Sequence, residues 1–342
     1  MATMRAARLN LSNPSSPTLS VEDVEKPTPG TGEVLVKVEA AGVCLSDVHL
    51  ARGYFAKPRL LVGDTVTLGH ETAGTVAEAG PGVTAWKPGD RVVLQAGEVR
   101  DGQVWTRGVD YDGGWAEYAL ARQDTLVALP DSIPFEQGAI IPDAVSTPWG
   151  AITATAHVGP AQSVGVWGIG GLGAHAVQLL RAIGACPIIA IDPSPAARER
   201  ALAFGADLAL DSADPELRAT IRTATGGLGL EYAFDFAGVT PVRDQALRQL
   251  APGGKLVLVG LSGQPITIEN STRFQSAQYQ LLGHYGSPEE SVAQLIRLEA
   301  GGRLNFARSI SGVMGLEEAA EAVERLEKKV GDPIRIVLRP SL

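Results

Sequence analysis

The chain has 342 residues, of which 45% are hydrophobic and 20% charged, and its formal net charge is -9 at pH 7. This composition is typical of a globular protein with room for two domains. The negative charge and the scattered Lys and Arg residues argue against nucleic acid as a partner. No apolar run is long enough for a membrane span or a signal peptide, so we expect a cytoplasmic protein without membrane association. The two cysteines, Cys44 and Cys186, are too few for a disulfide framework or a four-cysteine metal site.

The first 145 or so residues are predicted to form short strands. Residues 32–40 alternate apolar and polar side chains, as a half-buried strand does. Residues 73–80 and 87–94 are further predicted strands, and Gly and Pro punctuate the whole region. This part of the chain is therefore predicted to be a β-rich barrel or sandwich.

Two short segments of this region carry side chains of the types that can serve as zinc ligands. Residues 44–49 (CLSDVH) include the thiol of Cys44, and residues 69–71 (GHE) include the imidazole of His70 and the carboxylate of Glu71. A catalytic zinc needs three protein ligands and one open position, so Glu71 or an acid later in the chain would have to complete the set. A buried structural thiol and a satisfied core histidine are the alternative interpretations.

From about residue 146, predicted strands and helices alternate, which indicates an α/β fold with a doubly wound parallel sheet. The predicted elements of this region are a helix at 147–156, a strand at 163–167, a helix at 175–183, a strand at 187–192, a helix at 195–204, and strands at 232–236 and 255–260. From about residue 287 a helix follows, then an amphipathic helix at 316–329 and a final strand at 334–338.

The segment 168–173 (GIGGLG) follows a predicted strand and opens a predicted helix, which is the setting that a dinucleotide-binding loop requires. Gly168 permits the tight turn, Gly170 lets backbone amides approach the pyrophosphate, and Gly173 lets helix and strand pack closely. The pyrophosphate is expected at the positive end of the helix. The predicted cofactor-binding residues of this loop are Gly168, Gly170, Gly171, Leu172 and Gly173. A Gly-rich turn that binds no cofactor is the alternative.

Asp192 is predicted to select the cofactor. It lies 19 residues after Gly173, at the end of the next predicted strand, where a carboxylate accepts hydrogen bonds from the adenosine ribose. A carboxylate there repels a 2′-phosphate, so NAD is favoured over NADP. Arg198 is the nearest positive charge that would weaken this preference.

Together, these motifs resemble the zinc-dependent alcohol dehydrogenases of the medium-chain dehydrogenase/reductase superfamily over essentially the whole chain. The resemblance implies a GroES-like catalytic domain at residues 1–145, an inserted Rossmann NAD(H)-binding domain at 146–286, and a return to the catalytic domain at 287–342. It also implies a homodimer or homotetramer that oxidises a primary or secondary alcohol or reduces the matching aldehyde or ketone. Zinc would act as the Lewis acid.

The resemblance also implies a set of metal ligands. These are Cys44, His70 and Asp143, the last within a segment at 142–150 (PDAVSTPWG) that fits the family's third-ligand turn. Glu71 is implied beside the metal, as an alternating fourth ligand or a neighbour. For Asp143, the alternative is a helix N-cap.

Further catalytic roles follow from the same resemblance. The proton relay runs from the alcohol to Ser46, the nicotinamide ribose, His49 and water. Asp47 is expected to hydrogen-bond His70 and fix its tautomer, and Arg335 to contact a cofactor phosphate. The alternatives are a turn hydroxyl for Ser46, a surface residue for His49, and a solvated strand-end charge for Arg335.

One departure from the family concerns the second metal site. Many relatives carry a four-cysteine lobe between segments that here are residues 89–92 and 113–118. The stretch between them has no cysteine and contains instead Glu98, Asp101, Trp105 and Asp110. We therefore expect one catalytic zinc per subunit and no structural zinc.

The substrate and two competing functions stay open at this level. Tyr54, Trp115 and Trp149 are candidates to line a substrate pocket, with core packing as the alternative. The competing functions are a zinc-free quinone or enoyl reductase of the same superfamily, and a non-catalytic NAD-binding structural protein. The metal-type segments argue against the first, and the predicted proton relay argues against the second.

Overall fold

The computed structural model describes residues 2–13, 15–54 and 63–342. The chain divides into two compact units, one formed by Met1–Ala144 with Val292–Leu342 and the other by Val145–Ser291. The domain boundaries predicted from the sequence fall after residues 145 and 286. Among the described residues, no helix is both long enough and apolar enough to cross a membrane.

The part of the first unit that precedes residue 145 consists mainly of strands. These are β1 (Thr3–Asn10), β2 (Thr18–Glu25), β3 (Glu33–Val43), β4 (Thr65–Thr67), β5 (Thr72–Ala79), β6 (Arg91–Leu94), β7 (Gly97–Arg100), β8 (Gln103–Thr106), β9 (Tyr118–Arg122) and β10 (Leu126–Ala128). Two helices, α1 (Leu45–Ala51) and α2 (Phe135–Ile140), interrupt them, and a π-helical turn, Ile141–Val145, follows α2.

The second unit alternates helices and strands. Its elements are α3 (Ser146–Gly150), a π-helical segment (Ala151–Ala156), β11 (Val164–Trp167), α4 (Gly173–Ile183), β12 (Ile188–Ile191), α5 (Pro195–Ala203), β13 (Leu208–Leu210), α6 (Leu217–Ala224), β14 (Leu230–Asp235), α7 (Thr240–Leu247), β15 (Leu250–Leu258), α8 (Ser271–Ser276) and β16 (Gln280–Gly283). The chain then returns to the first unit through α9 (Ser291–Ala300), β17 (Ile310–Gly315), α10 (Ala319–Glu327) and β18 (Arg335–Arg339).

The β-rich character predicted for the first unit is confirmed. Among its described strands, the largest sheet has the order β10-β6-β5-β3-β18-β17, with β9 also paired to β3. The alternation seen in the sequence buries Val34, Val36 and Val38 of β3 in the core. The final strand β18 pairs antiparallel with β3, so the C-terminal segment completes the sheet that the N-terminal segment begins.

The doubly wound parallel sheet is also confirmed. Within residues 145–291, all of which are described, six parallel strands lie in the order β13-β12-β11-β14-β15-β16. Strands β11 and β12 are buried along their whole length, as expected for a parallel sheet covered on both faces. The strand order reverses between β11 and β14, and ligands bind at the carboxyl ends of strands at such a point.

Candidate metal centre and dinucleotide loop

Four predicted metal-site residues converge in the first unit. Ligand atoms of Cys44, His70, Glu71 and Asp143 all lie within 4.8 Å of one another. The Asp143 Oδ2 atom is 3.3 Å from the Cys44 Sγ atom and 3.4 Å from His70 Nε2. Cys44 follows β3, His70 and Glu71 lie between β4 and β5, and Asp143 lies in the π-helical turn after α2. The cluster therefore joins three segments that are distant in sequence.

Asp47 holds two of these residues in place. Its Oδ2 atom accepts a hydrogen bond of 2.8 Å from the Cys44 backbone N–H, at the start of α1. Its Oδ1 atom lies 3.5 Å from His70 Nδ1. The fully buried Asp47 carboxylate therefore fixes the backbone of Cys44 and faces the ring of His70, while the expected hydrogen bond to His70 stays a prediction.

Asp143 is not a helix N-cap. The residue that precedes α3 is Val145, and no side chain caps that helix. The π-helical turn Ile141–Val145 instead directs Asp143 toward Cys44 and His70. Such turns are frequent at functional sites, because the extra residue re-aims a side chain.

The donor set fits a zinc ion. Both carboxylate oxygens of Glu71, Nδ1 of His70 and Oδ1 of Asp47 are buried without a hydrogen bond of good geometry. Buried polar atoms are normally paired, and a cation at the cluster would pair the Oε2 atom of Glu71, whereas Oε1 already lies 3.1 Å from Arg335 Nη2. One thiolate, one imidazole and one carboxylate are the sulfur, nitrogen and oxygen ligands that zinc accepts, and they would neutralise its two charges.

The pKa values of the cluster are shifted by burial and by the charges of its own members. Burial raises the pKa of the Cys44 thiol, and the charge of Asp143 raises it further. Burial raises the pKa of Glu71 to about 8, although Arg335 acts against this rise. Burial by itself lowers the pKa of His70, but the charge of Asp47 and the hydrogen bond to Asp143 outweigh it and raise that pKa well above 6.5. A bound cation favours the deprotonated forms of all three groups.

Arg335 lies at this cluster. Its side chain, on β18, is 2% exposed, and its Nη2 atom is 3.1 Å from Glu71 Oε1 and 4.0 Å from Asp143 Oδ2. The guanidinium group therefore balances the buried carboxylate of Glu71 and the partly buried one of Asp143, and the alternative of a solvated strand-end charge is wrong. The expected contact with a cofactor phosphate stays a prediction.

Ser46 and His49 lie on α1, three positions apart, so they share one face of the helix. Ser46 Oγ is 3.7 Å from Cys44 Sγ, which places the hydroxyl beside the cluster. His49 is partly buried, and this burial lowers the pKa of its imidazole. The positions of the two side chains are compatible with the expected proton relay, and the relay itself stays a prediction.

The second unit contains the predicted dinucleotide loop. Gly168 follows β11 with φ +85°, and a Cβ on Gly173 would lie 1.8 Å from the Gly168 carbonyl oxygen. A Cβ on Gly170 would meet nothing within 4 Å, so the backbone is open on that side. Gly171 and Leu172 connect this turn to α4, whose first residue is Gly173. Only glycine fits at 168 and 173, as the motif predicted.

Asp192 lies at the end of β12, beside the loop. Its Oδ2 atom accepts a 2.8 Å hydrogen bond from the Ile169 N–H, and its Oδ1 atom accepts one of 2.8 Å from Ser194. Each oxygen keeps a further lone pair, which a ribose hydroxyl can use. Arg198 donates to Asp211 Oδ2 at 3.0 Å and to the Asp192 carbonyl oxygen at 2.9 Å, so its charge is already engaged by other acceptors.

Sequence reasoning missed three side chains that shape this region. The imidazole of His175 lies 2.6 Å from the Gly171 carbonyl oxygen, and the Arg200 guanidinium donates to the Ile169 carbonyl oxygen. Asp235, at the end of β14, accepts hydrogen bonds from the N–H groups of residues 237 and 238. The position of Asp235 after a buried strand was a usable signal, whereas the other two contacts carry no sequence pattern.

Comparison with known proteins agrees with this geometry. Residues 30–131 match the alcohol dehydrogenase GroES-like domain family, and residues 171–300 match the zinc-binding dehydrogenase family. An alcohol dehydrogenase of Geobacillus stearothermophilus is 32% identical over 326 residues, covering 91% of this chain and 93% of the relative. The chain belongs to the zinc-dependent alcohol dehydrogenases of the medium-chain dehydrogenase/reductase superfamily.

Other relatives span the same length. An NAD-dependent alcohol dehydrogenase of Saccharolobus solfataricus is 31% identical over 355 residues, covering 97% of this chain and all of the relative (100%). The crystal structure of 2R,3R-butanediol dehydrogenase from Bacillus subtilis superposes with a TM-score of 0.90 at 26% identity, covering 98% of this chain and 99% of that one. A zinc-binding dehydrogenase from Sinorhizobium meliloti, bound to NADP, also has a TM-score of 0.90, at 25% identity, and covers 99% of this chain and 100% of that one.

In this zinc-dependent dehydrogenase, the segment between residues 92 and 113 is stabilised by ion pairs, a buried hydrogen bond and a β-hairpin. Strands β7 and β8 pair with each other, and Glu98 forms ion pairs with Arg100 and, at 3.4 Å, with Arg122. Arg107 is buried and donates a 2.7 Å hydrogen bond to the Leu120 carbonyl oxygen. These contacts occupy the part of the chain where many relatives have four cysteines.

The three aromatic candidates for a substrate pocket have different environments. Trp115 is fully buried in the core of the first unit, so its assignment to a substrate pocket is wrong. Tyr54 is 67% exposed, and Trp149 is partly buried in α3. Residues 55–62, which follow Tyr54, lie outside the described part of the chain.

Proposed function

We propose that this protein is an NAD-dependent alcohol dehydrogenase that interconverts a primary or secondary alcohol with its aldehyde or ketone. It uses one catalytic zinc per subunit and has no structural zinc. The observation that carries the proposal is the cluster of buried Cys44, His70 and Glu71 with partly buried Asp143, whose possible ligand atoms lie within 4.8 Å of one another. The names of several similar proteins, which include alcohol, butanediol and threonine dehydrogenases, support the substrate class.

The zinc would be held by Cys44, His70 and Asp143, with Glu71 as an alternating ligand or a neighbour. A zinc ion bound there polarises the substrate oxygen and lowers the pKa of the alcohol. Asp47 keeps the His70 ring and the Cys44 backbone in position, and Arg335 balances the charge of Glu71. The two anionic ligands make the centre formally neutral, which suits the release of a neutral product.

The cofactor would bind along the loop at 168–173. Backbone N–H groups at the start of α4 would hold the pyrophosphate, and the Asp192 carboxylate would accept hydrogen bonds from the ribose hydroxyls. NAD supplies the hydride-accepting ring in alcohol oxidation. The carboxylate of Asp192 discriminates against the 2′-phosphate of NADP, because the nearby Arg198 is already paired with Asp211.

The alcohol proton would leave through Ser46 and His49. The Ser46 hydroxyl can accept one proton and donate another, as a relay requires. Because partial burial lowers the pKa of His49, its imidazole is neutral at pH 7 and can accept a proton. We expect His49→Gln to lower kcat for alcohol oxidation about 10- to 100-fold at pH 7 without changing the zinc content. Free imidazole in the buffer should restore part of the rate, and an unchanged kcat would remove His49 from the relay.

Metal analysis combined with turnover tests the whole proposal. We expect one zinc per subunit by elemental analysis. We also expect the protein to reduce NAD with short alcohols, and a chelator to abolish this activity. A zinc-free quinone or enoyl reductase would keep its activity in chelator, and a non-catalytic NAD-binding protein would show no turnover. Two zinc ions per subunit would contradict the absence of a structural site.

The proposal includes a homodimer or homotetramer. Strand β16 forms one edge of the parallel sheet, and exposed apolar side chains, including Leu261 and Ile266, lie in the segment that precedes it. An unpaired edge beside apolar surface favours association. Sedimentation at micromolar concentration should give a dimer or tetramer, and a monomer would contradict this part of the proposal.

A further inference from the structure

Trp115 connects the two segments that supply Cys44 and His70. It precedes β9 and is 0% exposed. Its indole Nε1–H donates a buried hydrogen bond of 3.0 Å to the carbonyl oxygen of Gly42. Gly42 is two residues before Cys44, so this bond fixes the end of β3 immediately ahead of the thiol.

The same indole ring packs against the residue before His70. A Cβ added to Gly69 would lie 2.3 Å from Cδ1 and 2.9 Å from Nε1 of Trp115, so the ring touches the Gly69 backbone. Gly69 has φ +99°, a conformation that favours glycine. The backbone N–H of Trp115 also donates a 2.9 Å hydrogen bond to the Leu68 carbonyl oxygen. The tryptophan therefore contacts the His70 segment through both its ring and its main chain.

The two segments are closely packed against each other at this point. The Gly42 N–H donates a 2.8 Å hydrogen bond to the Glu71 carbonyl oxygen, and a Cβ on Gly42 would lie 2.0 Å from Glu71 Oε2. A shift of the Gly42 carbonyl would therefore move Glu71 as well as Cys44. Metal sites tolerate displacements of only about 0.5 Å, so support of this kind affects affinity directly.

We infer that Trp115 is a positioning residue for the zinc site, which holds the Cys44 and His70 segments at the separation that the metal requires. The inference rests on the proposed function in one respect, namely that the cluster binds zinc. It assigns to Trp115 a role in metal affinity, separate from its contribution to the core. Residues that support metal ligands typically change affinity by 10- to 100-fold when they are replaced.

A pair of matched variants separates positioning from general stability. Trp115→Phe keeps an aromatic ring against Gly69 but removes the donor to Gly42. Trp86→Phe removes the indole donor of a partly buried tryptophan in the same unit, which bonds the Gln123 carbonyl oxygen at 2.9 Å. We expect Trp115→Phe to raise the zinc dissociation constant about 10-fold in a chelator competition, and to shift the visible absorption of the cobalt-substituted protein. Trp86→Phe should leave both unchanged.

Each outcome has a distinct meaning. A zinc dissociation constant within about twofold of the parent for Trp115→Phe, or an equal loss in Trp86→Phe, would overturn the inference. If the parent itself binds no zinc, the proposed function fails instead. If Trp115→Phe does not fold, the parent labelled with 15N-tryptophan provides the test. Its Trp115 indole N–H signal should shift on zinc removal, and five unchanged indole signals would contradict the inference.

Discussion

The metal cluster and the dinucleotide loop are assembled over different ranges of sequence. The loop at 168–173 and Asp192 come from one strand-turn-helix-strand unit, and their contacts are local. The metal cluster brings Cys44, His70 and Asp143 together from separate segments, with Arg335 of the last strand beside them. For a local motif, the sequence therefore predicts both the residues and their contacts. For a site dispersed along the chain, it predicts only the types of residue.

The two regions also differ in how they hold charge. The metal cluster buries several carboxyl groups and a thiol, which raises the pKa values of Cys44 and Glu71. The loop offers backbone N–H groups and the carboxylate of Asp192, which is itself hydrogen-bonded. The metal site should therefore respond to pH and chelators, and the loop should respond mainly to steric changes.

The largest expected effect comes from removing a metal ligand. Cys44→Ser should lose zinc and lower kcat/KM for alcohol oxidation about 1,000-fold, because the Lewis acid contributes several kcal/mol. NADH binding, followed by fluorescence, should change little. Zinc retained together with lost NADH binding would contradict the separation of the two sites.

The reverse experiment alters the loop. In Gly173→Ala the new Cβ would lie 1.8 Å from the Gly168 carbonyl oxygen, so the turn must distort. We expect the NADH dissociation constant to rise about 10- to 100-fold, with one zinc per subunit still present by elemental analysis. Gly312→Ala, on β17 and outside the loop, is the control, because a Cβ there meets nothing within 4 Å. An NADH dissociation constant that is unchanged in Gly173→Ala, or raised equally in Gly312→Ala, would be inconsistent with this geometry.

Cofactor preference tests the charge at the loop. Asp192→Asn removes the negative charge but keeps one oxygen acceptor, so the NAD-over-NADP ratio of kcat/KM should fall about 10-fold or more. Asp211→Asn frees Arg198 from its ion pair and should shift the ratio in the same direction by less. An unchanged ratio in Asp192→Asn would show that another group selects the cofactor.

Zinc affinity should depend on pH. The pKa values of Cys44 and His70 are raised, so protons compete with zinc at both groups. Zinc must displace these protons, so its dissociation constant should rise about 10-fold or more for each unit that the pH falls. Calorimetry in buffers of different ionisation enthalpy should detect proton release. A constant affinity between pH 6 and 8 would contradict the protonated cluster.

The last prediction concerns stability rather than either site, at a partly buried acid outside both regions. Burial raises the pKa of Glu299, on α9, to about 7. Its folded-state pKa exceeds the unfolded one, so its contribution to stability falls as the pH rises from about 4 to 7. Glu299→Gln should therefore stabilise the protein more at pH 8 than at pH 5. The gain in the free energy of unfolding should be about 1 to 3 kcal/mol larger at the higher pH. Thermal unfolding at both pH values checks this, and an equal effect at each would refute it.

The strands that the sequence pattern predicted are more deeply buried than β2, which it did not predict. The alternation of β3 and the apolar runs of β11 and β12 predicted strands that the structure contains. No strand was predicted at β1 or β2, which pair with each other along their whole length. Strand β2 is largely exposed, so its pattern contains little information about a buried face.

The sequence by itself determined the fold class, the cofactor loop and the residue types of the metal site. Those features follow from local patterns: a period of two in strands, glycines where a side chain would clash, and ligands at characteristic spacings. The family resemblance implied Asp143, but only the tertiary structure decided that a π-helical turn directs it toward the cluster, that Arg335 pairs with Glu71, and that Trp115 links the two segments. The physical reason is that these contacts join residues brought together by packing, and such contacts leave no periodic signal in the chain.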